Sequence, residues 1–207
     1  AWAEAMEEVT SSGDPAVVIP VSSKLSGTYQ SACIAAEDFE GKVFVVDSMT
    51  ATIGERLLLE YGISLAREGL DAATIAGRLD AVKDKVRIYA RLDTLEYLKK
   101  GGRISATTAV VGTMLNIKPI ISVQNGVVEN VGKARGPKAA DKQLRDLIAK
   151  SGGIDFSKPL CAVYSGLEDD NLMTFLADSA ELLCSTETPI ATVGCVIGTH
   201  VGPGAVA

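Results

Sequence analysis

Short apolar runs alternate with amphipathic stretches through the first half of the chain. The runs are interpreted as strands of a parallel sheet, and the first of them is continuously apolar, which is typical of a strand buried on both faces. They cover residues 16–21, 42–46 and 86–92. The stretches between them carry apolar side chains at helical spacing and cover residues 2–9, 52–67 and 71–82, with a further helix after the polar turn at 22–27. This alternation predicts right-handed crossover connections and a parallel sheet.

The second half of the chain predicts an antiparallel feature. Two β-rich runs at residues 117–123 and 127–132 flank Gln124-Asn125-Gly126, and an Asn-Gly pair is the strongest short-range signal for a hairpin. Further strands are predicted at residues 159–164 and 190–197, and helices at 106–115, 137–150 and 168–183.

These patterns predict an α/β protein with two lobes. Residues 1–95 would form a mainly parallel sheet with crossover helices, and residues 96–207 a mixed α/β lobe with the hairpin 117–132. The chain has 207 residues, of which 47% are hydrophobic and 22% charged. That composition is globular and excludes disorder, collagen and coiled coils.

Charge and cysteine usage narrow the class of protein further. A net charge of -6 argues against nucleic acid as a partner, and no apolar run approaches the roughly 20 residues of a membrane-spanning helix. The four cysteines form no CxxC pair and the chain has one histidine, so a zinc site is not favoured. We expect buried free thiols in a reduced cytoplasm, with no metal and no cofactor.

The polar segment around Ser26 is the first candidate site. It follows a predicted parallel strand and precedes a helix, where free N–H groups and the positive end of the helix dipole suit an anion. Ser26 and Thr28 add hydroxyl groups, and Gly27 allows close approach of the backbone. A hydroxyl-rich N-cap without a ligand is the competing interpretation. A nucleophilic role for Ser26 would need a base beside it, and the sequence offers no such partner.

The second candidate site surrounds the single histidine, His200, in GTHVGPGA after the last predicted strand. An imidazole on a glycine-rich loop can donate a hydrogen bond to an anion. A loop histidine bonded only to backbone is the alternative. Two basic segments follow as weaker candidates: KKGGR contains Arg103 after a helix stop, and GKARGPK contains Arg135. A solvated basic face, or a docking surface for an acidic partner or a phosphate, would explain the second.

No phosphate-binding loop of the GxxxxGK[ST] type, no GxGxxG fingerprint and no catalytic carboxylate pair occur in the sequence. Taken in order, however, the motifs resemble those of DegV family proteins over nearly the whole chain. The segments that carry the resemblance are SSKLSGTYQSA, VVDS, LEYLKKGGRIS, LNIKPII followed by NG, KARGPKAA and VIGTHVGPGA.

The resemblance implies a lipid-binding protein that is not an enzyme by itself. Such proteins hold one long-chain fatty acid, for example palmitate or oleate, in a tunnel between two α/β lobes. A separate ATP-binding fatty acid kinase subunit then phosphorylates the carboxylate. The acyl phosphate enters phospholipid synthesis, which allows transient contact with a membrane.

The same resemblance implies roles for particular residues. Ser26 and the backbone of Gly27 would bind the fatty-acid carboxylate, with His200 as its second side-chain ligand. Arg103 and Arg135 match basic positions near the head group or the kinase-docking face. Residues 107–117 would line the tunnel and set chain-length preference.

Two departures from the family pattern matter. The family has an earlier strand and a TSQPS motif whose Thr touches the carboxylate; nothing like them occurs in this sequence, and we expect it to begin in the helix that follows them. Where many relatives carry a His after the strand CAVY, this chain has Ser165. Two other functions stay open at this point: an enzyme acting alone on a small carboxylate or phosphate, and a regulatory protein with a vestigial tunnel.

Overall fold

The computed structural model describes residues 1–105, 116–184 and 187–207. The predicted helix at 106–115 and most of the predicted tunnel lining at 107–117 therefore lie outside the described residues. The chain divides into two compact units: residues 1–87 with 124–127, and residues 88–123 with 128–207. The lobe boundary at residue 95 stays a prediction.

The first unit is built around a parallel pair of strands, β1 and β2, with Val17 opposite Phe44. Helices cover the pair, and one apolar cluster includes the buried Leu58 and Leu79 from two of these helices. The elements are α1 (Trp2–Thr10), β1 (Ala16–Val18), α2 (Thr28–Ala36), β2 (Val43–Val45), α3 (Ile53–Arg67) and α4 (Ala72–Val82), with 3-10 turns at Glu37–Phe39 and Lys83–Lys85. This order of strands and helices confirms the prediction for the first unit. The helix between β1 and β2 belongs to the crossover connection that two parallel neighbouring strands need.

The second unit combines an antiparallel sheet with a parallel strand pair. β3, β4 and β5 lie in that order in one sheet, and β6 pairs in parallel with β7. The elements are β3 (Tyr89–Arg91), α5 (Glu96–Lys100), β4 (Ile117–Gln124), β5 (Val127–Arg135), α6 (Pro137–Lys150), β6 (Ala162–Tyr164), α7 (Asp170–Asp178), β7 (Ile190–Thr192) and α8 (Cys195–Val201). Positive φ angles at Asn125 and Gly126 form the tight turn between β4 and β5, which confirms the predicted hairpin.

The pairing predicted for residues 86–92 is wrong. β3 is not a third parallel strand but pairs antiparallel with β4, with Ala90 opposite Ile121. Apolar clusters cover both faces of this strand, one containing Ala90 and Leu92 and the other containing Tyr89. Residues 86–92 are mostly apolar but include Arg87 and Arg91, and such a run is compatible with either strand direction, so the sequence could not reveal the pairing.

The last predicted strand is also too long. β7 ends at Thr192, and residues Cys195–Val201 form helix α8. Gly194 has an extended backbone and stands at the N-cap of α8, which ends at Gly202 with a φ of 73°. His200 therefore lies in the last turn of a helix, not in a loop after a strand.

A buried ion pair joins β3 to α6 in the second unit. Arg91 Nε lies 2.7 Å from Asp141 Oδ1, and both side chains are almost fully buried. The N–H is not aligned for a hydrogen bond, and neither atom has another partner among the described residues. Burial raises the pKa of Asp141, and the charges of Arg91 and Arg145 act against that rise.

Candidate ligand-binding loops

Ser26 lies just before α2, in the connection from β1. Its Oγ is 2.7 Å from Thr28 Oγ1 and accepts a hydrogen bond from the Thr28 N–H at 3.2 Å. Gly27 is the N-cap of the helix, and a Cβ built on it would meet nothing within 4 Å. The two hydroxyl groups therefore stand beside open space at a helix N-terminus, an arrangement that favours an anionic group.

Asp47 holds the start of this serine-rich segment. Its Oδ1 accepts hydrogen bonds from the N–H groups of Ser23 and Met49, each at 3.1 Å. Burial acts to raise the pKa of Asp47, but the hydrogen bonds from Ser23 and Met49 outweigh burial and lower it. The charged carboxylate is thus the form that fixes the segment, and Asp47 is the Asp of the VVDS motif after β2.

The connection from β2 to α3 lies against the same segment. Met49 and Thr52 both have φ near 50°, a conformation that non-glycine residues seldom adopt. Such backbone persists where surrounding contacts enforce it, and it is concentrated at binding sites. Sequence patterns did not predict this feature because neither residue is a glycine or an asparagine.

His200 packs closely against α5 in the second unit. Its Nδ1 is buried and has no hydrogen-bond partner among the described residues. Buried polar atoms are nearly always hydrogen-bonded, so such an atom requires an explanation. The imidazole lies against the backbone of Gly101, where any Cβ would collide with the ring.

Gly101 and Gly102 have different roles in the structure. Gly102 has a φ of 70°, and the backbone bonds of Gly102 and Arg103 to Lys99 and Leu98 end α5 as the sequence predicted. Gly101 instead leaves room for the imidazole, and α5 packs against α8. The second role could not be predicted because it depends on a residue about 100 positions away.

The segment after His200 is tied down by Ser165. The Ser165 hydroxyl donates to the carbonyl of Gly202 at 2.6 Å, and the Gly204 N–H donates to the Ser165 carbonyl at 2.7 Å. Gly202 and Gly204 both have positive φ, and a side chain at Gly202 would collide with the Tyr97 ring. Ser165 is thus an anchor of the GTHVGPGA segment.

The two candidate arginines are both exposed. Arg103 Nη1 donates to the carbonyl of Gly101 at 2.6 Å, which brings Arg103 next to the glycine that supports His200. Arg135 is the last residue of β5, before Gly136 at a φ of 80°. The ligand roles of Ser26, Gly27 and His200 and the contact roles of the arginines stay predictions.

No group of three His, Cys, Asp or Glu side chains is arranged to hold a metal ion in the part of the chain that the structure describes. Within the same part, none of the helices has the length and apolar character needed to cross a membrane.

The fold defines an α/β protein whose candidate residues Ser26, Gly27 and His200 lie at or beside helix ends. A sequence profile of the DegV family, described as uncharacterised proteins, matches residues 1–207. The chain belongs to the DegV family. A DegV domain-containing protein of Caldanaerobacter subterraneus is 33% identical over 203 residues, which cover 98% of this chain and 72% of that protein.

Solved structures of the same family share the fold. One is described as fatty acid binding of a DegV family protein from Thermus thermophilus; it is 32% identical, with a TM-score of 0.85 over 99% of this chain and 73% of that chain. A second is the fatty acid kinase B3 protein of Streptococcus pneumoniae loaded with linoleic acid. It is 22% identical, with a TM-score of 0.79 over 92% of this chain and 69% of that chain, a likeness of fold alone.

Proposed function

We propose that this protein binds a long-chain fatty acid and holds the carboxylate with Ser26, Gly27 and His200. The observation that carries the proposal is the likeness to the Thermus thermophilus protein, whose description names fatty acid binding. The open space beside Gly27 supports the choice of Ser26 and Gly27, and the likeness of GTHVGPGA to the family motif supports the choice of His200.

The chemistry of the three residues suits a carboxylate. A buried carboxylate needs hydrogen bonds, because an unpaired charge in an apolar site is costly. A hydroxyl, a backbone N–H and an imidazole can each donate one, at about 1.5–3 kcal/mol per charge-assisted bond. Each buried methylene adds about 0.8 kcal/mol, so a chain of about sixteen carbons would gain on the order of 10 kcal/mol before the costs of binding.

We further propose that the bound acid is presented to a separate ATP-binding kinase subunit, which forms the acyl phosphate. The chain carries none of the phosphate-binding loop motifs considered above, so ATP would come with the partner. The fold shared with the fatty acid kinase B3 protein supports this role. Exposed Arg135 and the neighbouring Lys133 and Lys138 would contact that partner.

Native mass spectrometry of the protein purified from bacteria tests the binding proposal. We expect a mass increment of one fatty acid, and lipid extraction should identify a long-chain acid in about equimolar amount. Protein that carries no fatty acid, and that takes none up from added palmitate, would contradict the proposal.

A further inference from the structure

Ser22 is a fully buried serine four residues before Ser26. Its carbonyl accepts hydrogen bonds from the N–H of Leu25 at 2.9 Å and from the N–H of Ser26 at 3.1 Å. The backbone of Ser26 is therefore fixed directly by Ser22. The N–H of Ser22 in turn donates to the carbonyl of Thr50 at 2.9 Å, which holds the turn against the connection from β2 to α3.

The hydroxyl of Ser22 makes two further hydrogen bonds. It donates to the carbonyl of Gly126 at 2.8 Å and accepts from the N–H of Lys24 at 3.2 Å. The Lys24 ammonium also donates to the carbonyl of Asn125 at 2.9 Å. Both bonds to the Asn-Gly tip reach residues more than 100 positions away, and both converge on the turn that carries Ser26.

Gly126 fits Ser22 closely. Its φ is 79°, and a Cβ there would lie 2.6 Å from Ser22 Oγ and 3.1 Å from Met49 Cε. The tip of the hairpin thus needs glycine for its turn and also for its approach to Ser22. Formation of the hairpin alone would not require the close approach of Gly126 to Ser22.

We propose that Ser22 is the positioning residue for Ser26, with its hydroxyl locking the turn to the Asn125-Gly126 tip. The inference rests on the proposed role of Ser26 as a carboxylate ligand. Loss of the Ser22 hydroxyl removes its hydrogen bonds to Gly126 and Lys24. The turn then becomes more mobile, and the Ser26 Oγ adopts orientations in which it cannot donate to the carboxylate. A side chain that is mobile in the free protein contributes less to the binding free energy, because ordering it on binding costs conformational entropy.

The test compares Ser22→Ala with Ser31→Ala, which removes the hydroxyl of an exposed serine in α2. Palmitate affinity should fall about five- to tenfold in Ser22→Ala and stay within about twofold of wild type in Ser31→Ala. Affinity for hexadecanol, which lacks the carboxylate, should change little in either variant. Equal losses for palmitate and hexadecanol would overturn the inference and make Ser22 a purely structural residue.

A double-mutant cycle with Ser26→Ala separates this inference from the proposed function. If Ser22 acts through Ser26, Ser22→Ala should have little further effect when Ser26 is already alanine. A full additional loss would overturn the positioning role while leaving Ser26 as a ligand. No effect of Ser26→Ala alone would instead contradict the proposed ligand role itself.

Ser22→Cys guards against a folding defect in the alanine variant. The thiol keeps a polar group at the same position but is larger than the hydroxyl, and it is a weaker donor and acceptor. We expect an intermediate loss of palmitate affinity in a protein that still melts cooperatively. Wild-type palmitate affinity in this variant would also overturn the inference.

Discussion

At Gly101, the absence of a side chain matters because it leaves space for the His200 imidazole, and not because the backbone needs an unusual conformation. Its φ and ψ are ordinary helical values, so the backbone there does not require glycine. The His200 imidazole occupies the place where a Cβ would stand. Glycine at this position is therefore explained by the ring, and the sequence pattern of a helix stop explains only Gly102.

We predict that Gly101→Ala displaces the imidazole and weakens palmitate binding about tenfold, through loss of the His200 hydrogen bond. A fluorescence displacement titration measures the change. Gly77→Ala is the matched control, because Gly77 is exposed in α4 with nothing within 4 Å of a Cβ. That variant should bind normally and gain up to about 1 kcal/mol in stability. Unchanged binding in Gly101→Ala would refute the assignment of His200.

Glu55 should make stability depend on pH. Burial raises its pKa from 4.5 to about 7, against a hydrogen bond with the Thr52 backbone that acts in the opposite direction. Between these two values the folded protein keeps a proton that the unfolded chain has lost, so stability falls as pH rises through the window.

Glu55→Gln should remove this dependence. Because Glu55 is only partly buried, we expect a gain on the order of 1 kcal/mol at about pH 8 and almost none at about pH 4. Melting temperatures of both proteins across that range provide the check. If the difference in melting temperature between the two proteins is the same at every pH, the pKa of Glu55 is not raised.

At the scale of elements, the contact between β3 and α6 depends on a charge pair that the apolar pattern did not predict. We predict that Asp141→Ala lowers the free energy of unfolding by about 3–5 kcal/mol, because Arg91 is left buried and unpaired. Asp146→Ala is the control in the same helix, where an exposed pair with Lys142 contributes less than about 1 kcal/mol. Urea unfolding distinguishes the two, and similar losses in both variants would contradict the account.

Patterns among neighbouring residues in the sequence predicted the helices, strands and turns better than they predicted which elements pair with each other. The Asn-Gly turn and the helical spacing of α3 and α4 depend on neighbours in sequence, so the pattern was sufficient. The direction of β3 depends on its pairing with β4, about 30 residues later in the chain. The start of α8 depends on Gly194, the N-cap residue that separates it from β7. The connections of Ser22 and Gly101 to distant residues are of the same kind, which is why these residues were missed.

At the scale of the whole molecule, an acidic protein with an exposed basic segment suggests a partner surface. Arg135→Ala should leave palmitate affinity unchanged but lower acyl phosphate formation with an ATP-binding fatty acid kinase subunit about five- to tenfold, because rim charges mainly steer association. Arg67→Ala, an exposed arginine on α3, is the control and should not change turnover. Equal turnover in all three proteins would remove Arg135 from the docking surface.

The central claim is that Ser26 and His200 bind the carboxylate of a long-chain fatty acid, and the palmitate dissociation constant of the Ser26→Ala/His200→Ala variant tests it most directly. The delipidated double variant should melt like the wild type and bind palmitate at least about 100-fold more weakly, since two charge-assisted hydrogen bonds are lost. Wild-type palmitate affinity in a folded double variant would contradict the claim.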